Sequence, residues 1–269
     1  MRDNGRPQIL LTNDDGIRSP GLWSAAEALS SLGFVTVAAP RDQSSGAGRS
    51  MPLASDGTIR EDRVTVGGKT WTVYAIGGTP AQTVLHAVLE IMPRLPDLVV
   101  SGINYGENLG SGVTVSGTVG AALEGAALGV PSLAVSLETD TRYHLSHSED
   151  IDFLTAAHFT HLFAAKLLAG FQMSDVDVLK VDVPAQATPD TPWALTRLSR
   201  VRYFVPVKPQ RNRLDQPAGV GYRVEVDPSA VEPDSDIHAL YVRHVVAVTP
   251  LSLDLTSRVD FAALERALR

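Results

Sequence analysis

The chain contains no cysteine. That single absence excludes disulfides, cysteine-ligated zinc, iron–sulfur clusters and thiol nucleophiles. It also has no apolar run approaching the roughly 18–20 residues that a membrane-spanning helix requires. Positive charge is in deficit: 23 Lys and Arg stand against 30 Asp and Glu, a formal net charge of −7. Non-specific nucleic-acid binding runs on neutralisation of phosphates by cations, so no polymeric nucleic acid is expected as a partner, although a local site can still hold a small anion. Neither a Walker lysine motif nor a G-x-G-x-x-G signature fits the glycine-rich loops. No serine sits in a nucleophile-elbow sequence, which leaves a Ser-His-Asp hydrolase unsupported. The stretch Met1–Pro7 is polar and carries no apolar signal region, so the expectation is a cytoplasmic enzyme without a membrane partner.

What remains is a chain of 269 residues, 44% hydrophobic and 20% charged, the composition of a globular protein with room for one large domain and an appendage. Its first half alternates β-rich runs with helical stripes. Gln8–Thr12 reads as a strand. Ser19-Pro20 reads as a helix cap with Pro at the first turn, followed by an apolar stripe from Leu22 to Leu32, and residues 34–39 form a second strand. Thr58–Val66 and Lys69–Ile76 flank Gly67-Gly68 as a hairpin, and Thr79-Pro80 opens a helix to about Met92. Asp97–Ser101 is a short buried strand, Gly102–Val115 a long glycine-rich loop, Thr118–Leu128 a small-faced helix, and Ser132–Leu137 a strand. Strand–helix–strand order of this kind argues for an α/β fold, a Rossmann-like parallel sheet with helices on both faces.

The second half is less regular: a helix over Ile151–Leu168, strands over Val176–Val183 and His244–Leu251, and a terminal helix over Asp260–Leu268. Val201–Val207 and Gly221–Val226 flank a polar loop as a hairpin arm. The expected organisation is a catalytic domain over residues 1–200, then a hairpin arm, last strand and helix over residues 201–269 that serve oligomerisation.

In open α/β sheets ligands bind at the carboxyl ends of the strands. There the first strand ends in Asn13-Asp14-Asp15-Gly16. Neighbouring carboxylates converge only where the chain turns, and they repel unless a proton or cation lies between them. The pair reads either as a site for a hard divalent cation or as a solvated turn capping the next helix. The loop Arg41–Gly48 offers hydroxyls and free backbone N–H groups, suited to an anion or a metal, and reads equally as a plain surface loop. The third loop, Ser101-Gly102-Ile103-Asn104-Tyr105-Gly106-Glu107-Asn108-Leu109-Gly110, sets Asn104 and Asn108 among glycines that allow close backbone approach to a ligand. Ser116-Gly117-Thr118 opens a helix, whose free N–H groups and positive potential suit a phosphate; an ordinary N-cap is the plainer reading. His158 and His161 on a helix, and His144 and His147 in a loop, are paired but have no evident third zinc ligand.

In their order along the chain, ILLTNDDGIRSPG (residues 9–21), APRDQSSG (39–46), GTPA (78–81) and the stretch from Pro96 to Leu137 resemble the SurE family of metal-dependent nucleoside-monophosphate phosphatases. The resemblance spans most of residues 8–137 and is weak in the carboxyl-terminal half. It implies one divalent cation per subunit held by Asp14, Asp15, Ser45 and Asn104, with the two aspartates as catalytic residues. It places Asn108, Ser116, Gly117 and Thr118 around the phosphate; Asn13 and Gly46 join them as candidate substrate-binding residues. An all-oxygen donor set of this kind favours Mg²⁺, Mn²⁺ or Ca²⁺ over zinc. The implied substrates are nucleoside 5′- and 3′-monophosphates, with polyphosphate for some members, and the implied assembly is a homodimer or homotetramer that exchanges carboxyl-terminal segments.

The chain departs from the family pattern at Arg41-Asp42-Gln43-Ser44, which lacks a second basic residue before Ser45, at Gln82-Thr83, and at His238–His244. Two other functions compete with this one: a non-catalytic nucleotide-binding regulator on the same scaffold, which would bind metal and nucleotide without releasing phosphate, and a sugar-transfer enzyme acting on an activated donor.

Overall fold

The computed structural model describes residues 5–171 and 173–269. Of the polar stretch Met1–Pro7, residues 1–4 lie outside the described residues.

β1 (Gln8–Thr12) is buried at every position. Its alternate side chains enter different cores: Ile9 and Leu11 pack with Leu22, Phe159 and Phe163, whereas Leu10 packs with Val84, Val99 and Ala121. A strand covered on both faces reads as a continuous apolar run, as β1 does. The first core takes α1 (Pro20–Leu29) and α4 (Leu154–Leu168); the second takes α2 (Pro80–His86) and α3 (Gly117–Ala127).

The remaining strands are β2 (Phe34–Pro40), β3 (Ile59–Val66), β4 (Lys69–Ile76), β5 (Leu98–Tyr105), β6 (Ser132–Leu137), β7 (Val178–Val183), β8 (Trp193–Leu195), β9 (Phe204–Val207), β10 (Gly221–Val224) and β11 (Val246–Leu251). Eight of them join β1 in one nine-stranded sheet, in the order β3-β4-β2-β1-β5-β6-β7-β11-β8, and β9 and β10 pair separately as an antiparallel hairpin. The sheet is parallel from β4 to β7, with β3 antiparallel to β4 at one edge and β11 antiparallel to β7 near the other. The chain closes with α5 (Phe261–Leu268).

β1 lies between β2 and β5. The chain leaves β1 toward β2 on one side and later returns as β5 on the other. The loops after β1 and β5 therefore part above a crevice, the switch point where doubly wound sheets bind ligands.

Several elements differ from expectation: α2 ends at His86, β7 begins at Val178 and β11 at Val246. β5 does not stop at Ser101 but runs to Tyr105, so Asn104 lies in a strand and not in the expected loop from Gly102 to Val115. The cause is a bulge: Ser101 pairs with Ala134, but Asn104 pairs with Ser136, so β5 spends one extra residue. The extra residue inverts the side-chain alternation beyond it. Gly102 makes this feasible, with φ of +134° and only 2.3 Å between a notional Cβ and the Val135 carbonyl oxygen. α4 begins at Leu154, three residues inside the expected start at Ile151. The three-residue β8 carries too little pattern to be read from sequence. Gln82, one of the departures noted above, completes a capping box with Thr79 at the start of α2.

Candidate active site

The turn after β1 is closed by Asn13, whose side chain donates to the Gly16 carbonyl at 3.1 Å and accepts from the Gly16 N–H at 3.1 Å. This turn brings Asp14 and Asp15 together, 4% and 1% exposed. Asp14 accepts a 2.5 Å hydrogen bond from the Thr118 hydroxyl. Asp15 accepts from the Tyr105 N–H at 3.2 Å and from the Gln43 amide at 3.1 Å. The same Gln43 nitrogen lies 3.0 Å from the Ser45 hydroxyl and 2.7 Å from the His144 carbonyl, so it ties the second loop to the acidic pair.

Asp14, Ser45, Gly46, Asn104, Asn108 and Ser116 all line one cavity of about 550 Å³. Asp15 and Thr118 stand behind this wall through the hydrogen bonds just given. Gly117 backs Asp14 closely; a Cβ there would lie 2.6 Å from the Asp14 Cβ. Asn13 is spent within its own turn. Ser116 caps α3, its hydroxyl accepting from the Val119 N–H at 3.1 Å. The structure thus gathers loops after β1, β2 and β5 and the amino terminus of α3 into one place.

The donor set suits a hard cation. Two buried carboxylates sit side by side, and no Lys or Arg pairs with either among the described residues. Burial raises the carboxyl of Asp14, against the hydrogen bond from Thr118. Burial first, and then the charge of Asp14, raise Asp15 well above the ordinary carboxylate range. Asn104 uses its amide nitrogen on the carbonyls of Gly106 (2.6 Å) and Tyr105 (3.2 Å), which leaves its side-chain oxygen as the available donor. Asn108 likewise donates to the Ser136 hydroxyl at 2.8 Å. Among the described residues no three His, Cys, Asp or Glu side chains gather into a metal site. This is compatible with a set in which Ser and Asn supply two of the four donors.

Several cavity residues escaped sequence reasoning. His144 lines the cavity and packs against Tyr222, its Nδ1 lying 3.0 Å from the tyrosine oxygen. His147 places Nε2 2.8 Å from the Asp15 carbonyl oxygen. Tyr203, Phe204 and Tyr222 line the same cavity. Glu107, next to Asn108, is 3% exposed, and burial pushes its carboxyl up to about 7. The pairing of these histidines with one loop was visible in sequence; their approach to Asp15 and Tyr222 depends on contacts that no local spacing encodes.

The raised carboxyl of Glu107 has a thermodynamic consequence. Its folded-state value lies above its ordinary 4.5, so the stability it contributes is present below pH 4.5 and is lost as pH rises toward about 7. Asp14 and Asp15 act with the same sign. Chelator-treated protein should therefore lose stability as pH rises through this window, by on the order of 3 kcal/mol from Glu107 alone. Urea unfolding at several pH values measures it; a flat or rising profile would contradict the buried, uncompensated carboxyls.

An acidic pair at the switch point of a mostly parallel sheet, beside a helix amino terminus, suits an α/β enzyme that binds an anionic ligand together with a cation. The model of the family described as survival protein SurE matches residues 9–204. A protein named 5′-nucleotidase SurE from Thermococcus gammatolerans is 46% identical, covering 97% of this chain and 96% of its own length. Its namesake from Methanosarcina mazei is 38% identical, with coverages of 97% and 98%. The crystal structure of SurE protein from Aquifex aeolicus superposes with a TM-score of 0.74 at 31% identity, over 98% of this chain and 100% of that one. The chain belongs to the survival protein SurE family, and with it to the phosphoric monoester hydrolases. No helix among the described residues is long and apolar enough to cross a membrane.

Proposed function

We propose that this cavity hydrolyses nucleoside 5′-monophosphates, and 3′-monophosphates with them, to nucleoside and phosphate with the help of one divalent cation per subunit. The 5′-nucleotidase names of the relatives support the substrate class. The observation that carries the metal is the buried acidic pair without a cationic partner, beside an Asn104 whose amide nitrogen is already engaged.

Asp14, Asp15, Ser45 and Asn104 would hold the cation, with Mg²⁺ or Mn²⁺ favoured and Ca²⁺ compatible with the same oxygen donors. When bound, such an ion polarises a phosphoryl oxygen and lowers the pKa of water at the site. The protein's own groups do the rest. The start of α3, with Ser116 at the cavity wall, turns the positive end of its helix dipole toward the phosphate, while its Gly117 and Thr118 N–H groups act on Asp14. The Asn108 side chain is braced by Ser136, so its position against the phosphate is fixed before substrate arrives. Asp14 or Asp15 orients the attacking water and accepts its proton. Thr118 holds Asp14 in place by the 2.5 Å hydrogen bond. Replacing Thr118 with Val removes that bond while conserving shape, and should lower kcat about ten- to hundredfold at little cost in fold stability; a stopped-time phosphate assay reads it.

The cell-interior setting and self-association belong to this same reading. The amphipathic α5 leaves Phe261 and Leu268 62% and 78% exposed, which supports burial against a second copy. Phosphate release across a panel of mononucleotides and divalent ions tests the whole. Release from AMP or GMP that needs added Mn²⁺ or Mg²⁺ supports it; binding without release would make the chain a regulator instead.

A further inference from the structure

Glu107 sits where a carboxylate is hard to justify structurally. It is 3% exposed, it lines the substrate cavity, and its Oε2 has no hydrogen-bond partner. The Tyr203 hydroxyl donates to the carboxyl, but the charged groups acting on it, Glu138 and Asp182, are both acidic. A buried carboxyl without enough donors is unfavourable in the free protein, and such groups concentrate where a ligand completes them.

The substrate narrows the choice. A carboxylate repels phosphate, so Glu107 must face a part of the nucleotide that carries O–H or N–H donors. It stands one residue from Asn108 and three from Asn104 in the chain and lines the same cavity as both. The group next to a 5′-phosphate is the ribose, whose 2′- and 3′-hydroxyls offer two adjacent donors. In the lining of the same cavity the Phe204 and Tyr222 rings lie 5.2 Å apart at 69°, an aromatic surface suited to a base.

We propose that Glu107 is the ribose-binding residue of this site for 5′-monophosphates, accepting hydrogen bonds from the 2′- and 3′-hydroxyls while Phe204 and Tyr222 carry the base, so that the enzyme selects 5′-ribonucleotides over 5′-deoxyribonucleotides. The assignment rests on the nucleotidase reading above. It makes Glu107 a determinant of specificity in addition to the residues around the phosphate.

The test compares kcat/KM of the full chain, with Mn²⁺, for 5′-AMP, 2′-deoxy-5′-AMP, 2′,3′-dideoxy-5′-AMP and p-nitrophenyl phosphate. Wild-type protein should prefer AMP over the dideoxy nucleotide by about ten- to hundredfold, mostly through KM, as expected for hydrogen bonds to a charged group. In Glu107→Gln that preference should collapse toward one, and AMP should lose more than p-nitrophenyl phosphate does. Equal wild-type rates on the three nucleotides overturn the assignment without any variant, so a folding failure of Glu107→Gln does not protect it. A variant that keeps the ribose preference, or loses activity on all four substrates equally, overturns it too. Wild-type hydrolysis of p-nitrophenyl phosphate but of no nucleotide would overturn the nucleotidase reading and this assignment together, a different result from equal nucleotide rates.

Discussion

Replacing Asp14 with Asn is expected to abolish phosphate release, by on the order of a thousandfold or more, while making the metal-free protein more stable. The two effects share one cause. Asp14 and Asp15 are buried side by side, and the charge of one raises the other. Without a cation the pair opposes folding, through desolvation and like-charge repulsion. Asn at position 14 removes one charge and keeps the shape, and the Thr118 hydroxyl can still hydrogen-bond to it. The gain should be about 1–3 kcal/mol, or about 2–4 °C in Tm per kcal/mol for a chain approaching this size. Mn²⁺ should raise the Tm of wild-type protein and leave the variant nearly unmoved. Thermal unfolding with chelator and with Mn²⁺ reads both arms; a variant less stable than wild type in chelator would show that the acidic pair stabilises the fold on its own.

The second large effect is expected at Lys180. Its ammonium group lies fully buried in β7 against Asp182 and Asp236, bonding both. Those two aspartates also grip the substrate loop: Asp182 accepts the Asn108 N–H at 2.7 Å and Asp236 the Gly110 N–H at 2.9 Å. Asp236 further accepts from Ser199 and Ile237, which fastens the segment after β8 to the same point. Lys180→Met would strand two buried carboxylates and should cost about 3–5 kcal/mol, a large share of the 5–15 kcal/mol typical of a folded protein. The loop carrying Asn108 should loosen with it, raising KM for substrate in whatever fraction stays folded. Urea unfolding of Lys180→Met, and of Lys180→Met combined with Asp182→Asn, measures the coupling. The double variant should recover part of the loss, and strict additivity would contradict a shared network.

Why these features were unequally legible follows from where their causes lie. The turn at Asn13–Gly16 and the cap at Ser116 are local chemistry, so Asp14, Asp15 and the start of α3 could be read directly. β6 came out as Ser132–Leu137, as expected, because a short apolar run between a Gly-Val-Pro stop and a polar loop leaves little freedom. β5 was cut short because Gly102 looks like the start of a loop, whereas glycine inside a strand also marks a bulge. Here the bulge sets the phase of Asn104, a residue the site depends on. Gln43 lies in the APRDQSSG stretch but marks a departure from the family pattern there; in space it joins Asp15, Ser45 and His144. Lys180 and Asp182 alternate with Leu179 and Val181, the pattern of a strand with one wet face. That face is in fact covered by the segment carrying Asp236, more than fifty residues later, and no local pattern can announce such a cover.

In the proposed site four oxygen donors, from two separate loops and a bulged strand end, hold a single hard cation. Anomalous diffraction from crystals equilibrated with Mn²⁺ tests this most directly. The expected result is one anomalous peak per chain, within about 2.0–2.6 Å of oxygens of Asp14, Asp15, Ser45 and Asn104. A peak elsewhere, or none beside the acidic pair in protein that releases phosphate, would contradict it.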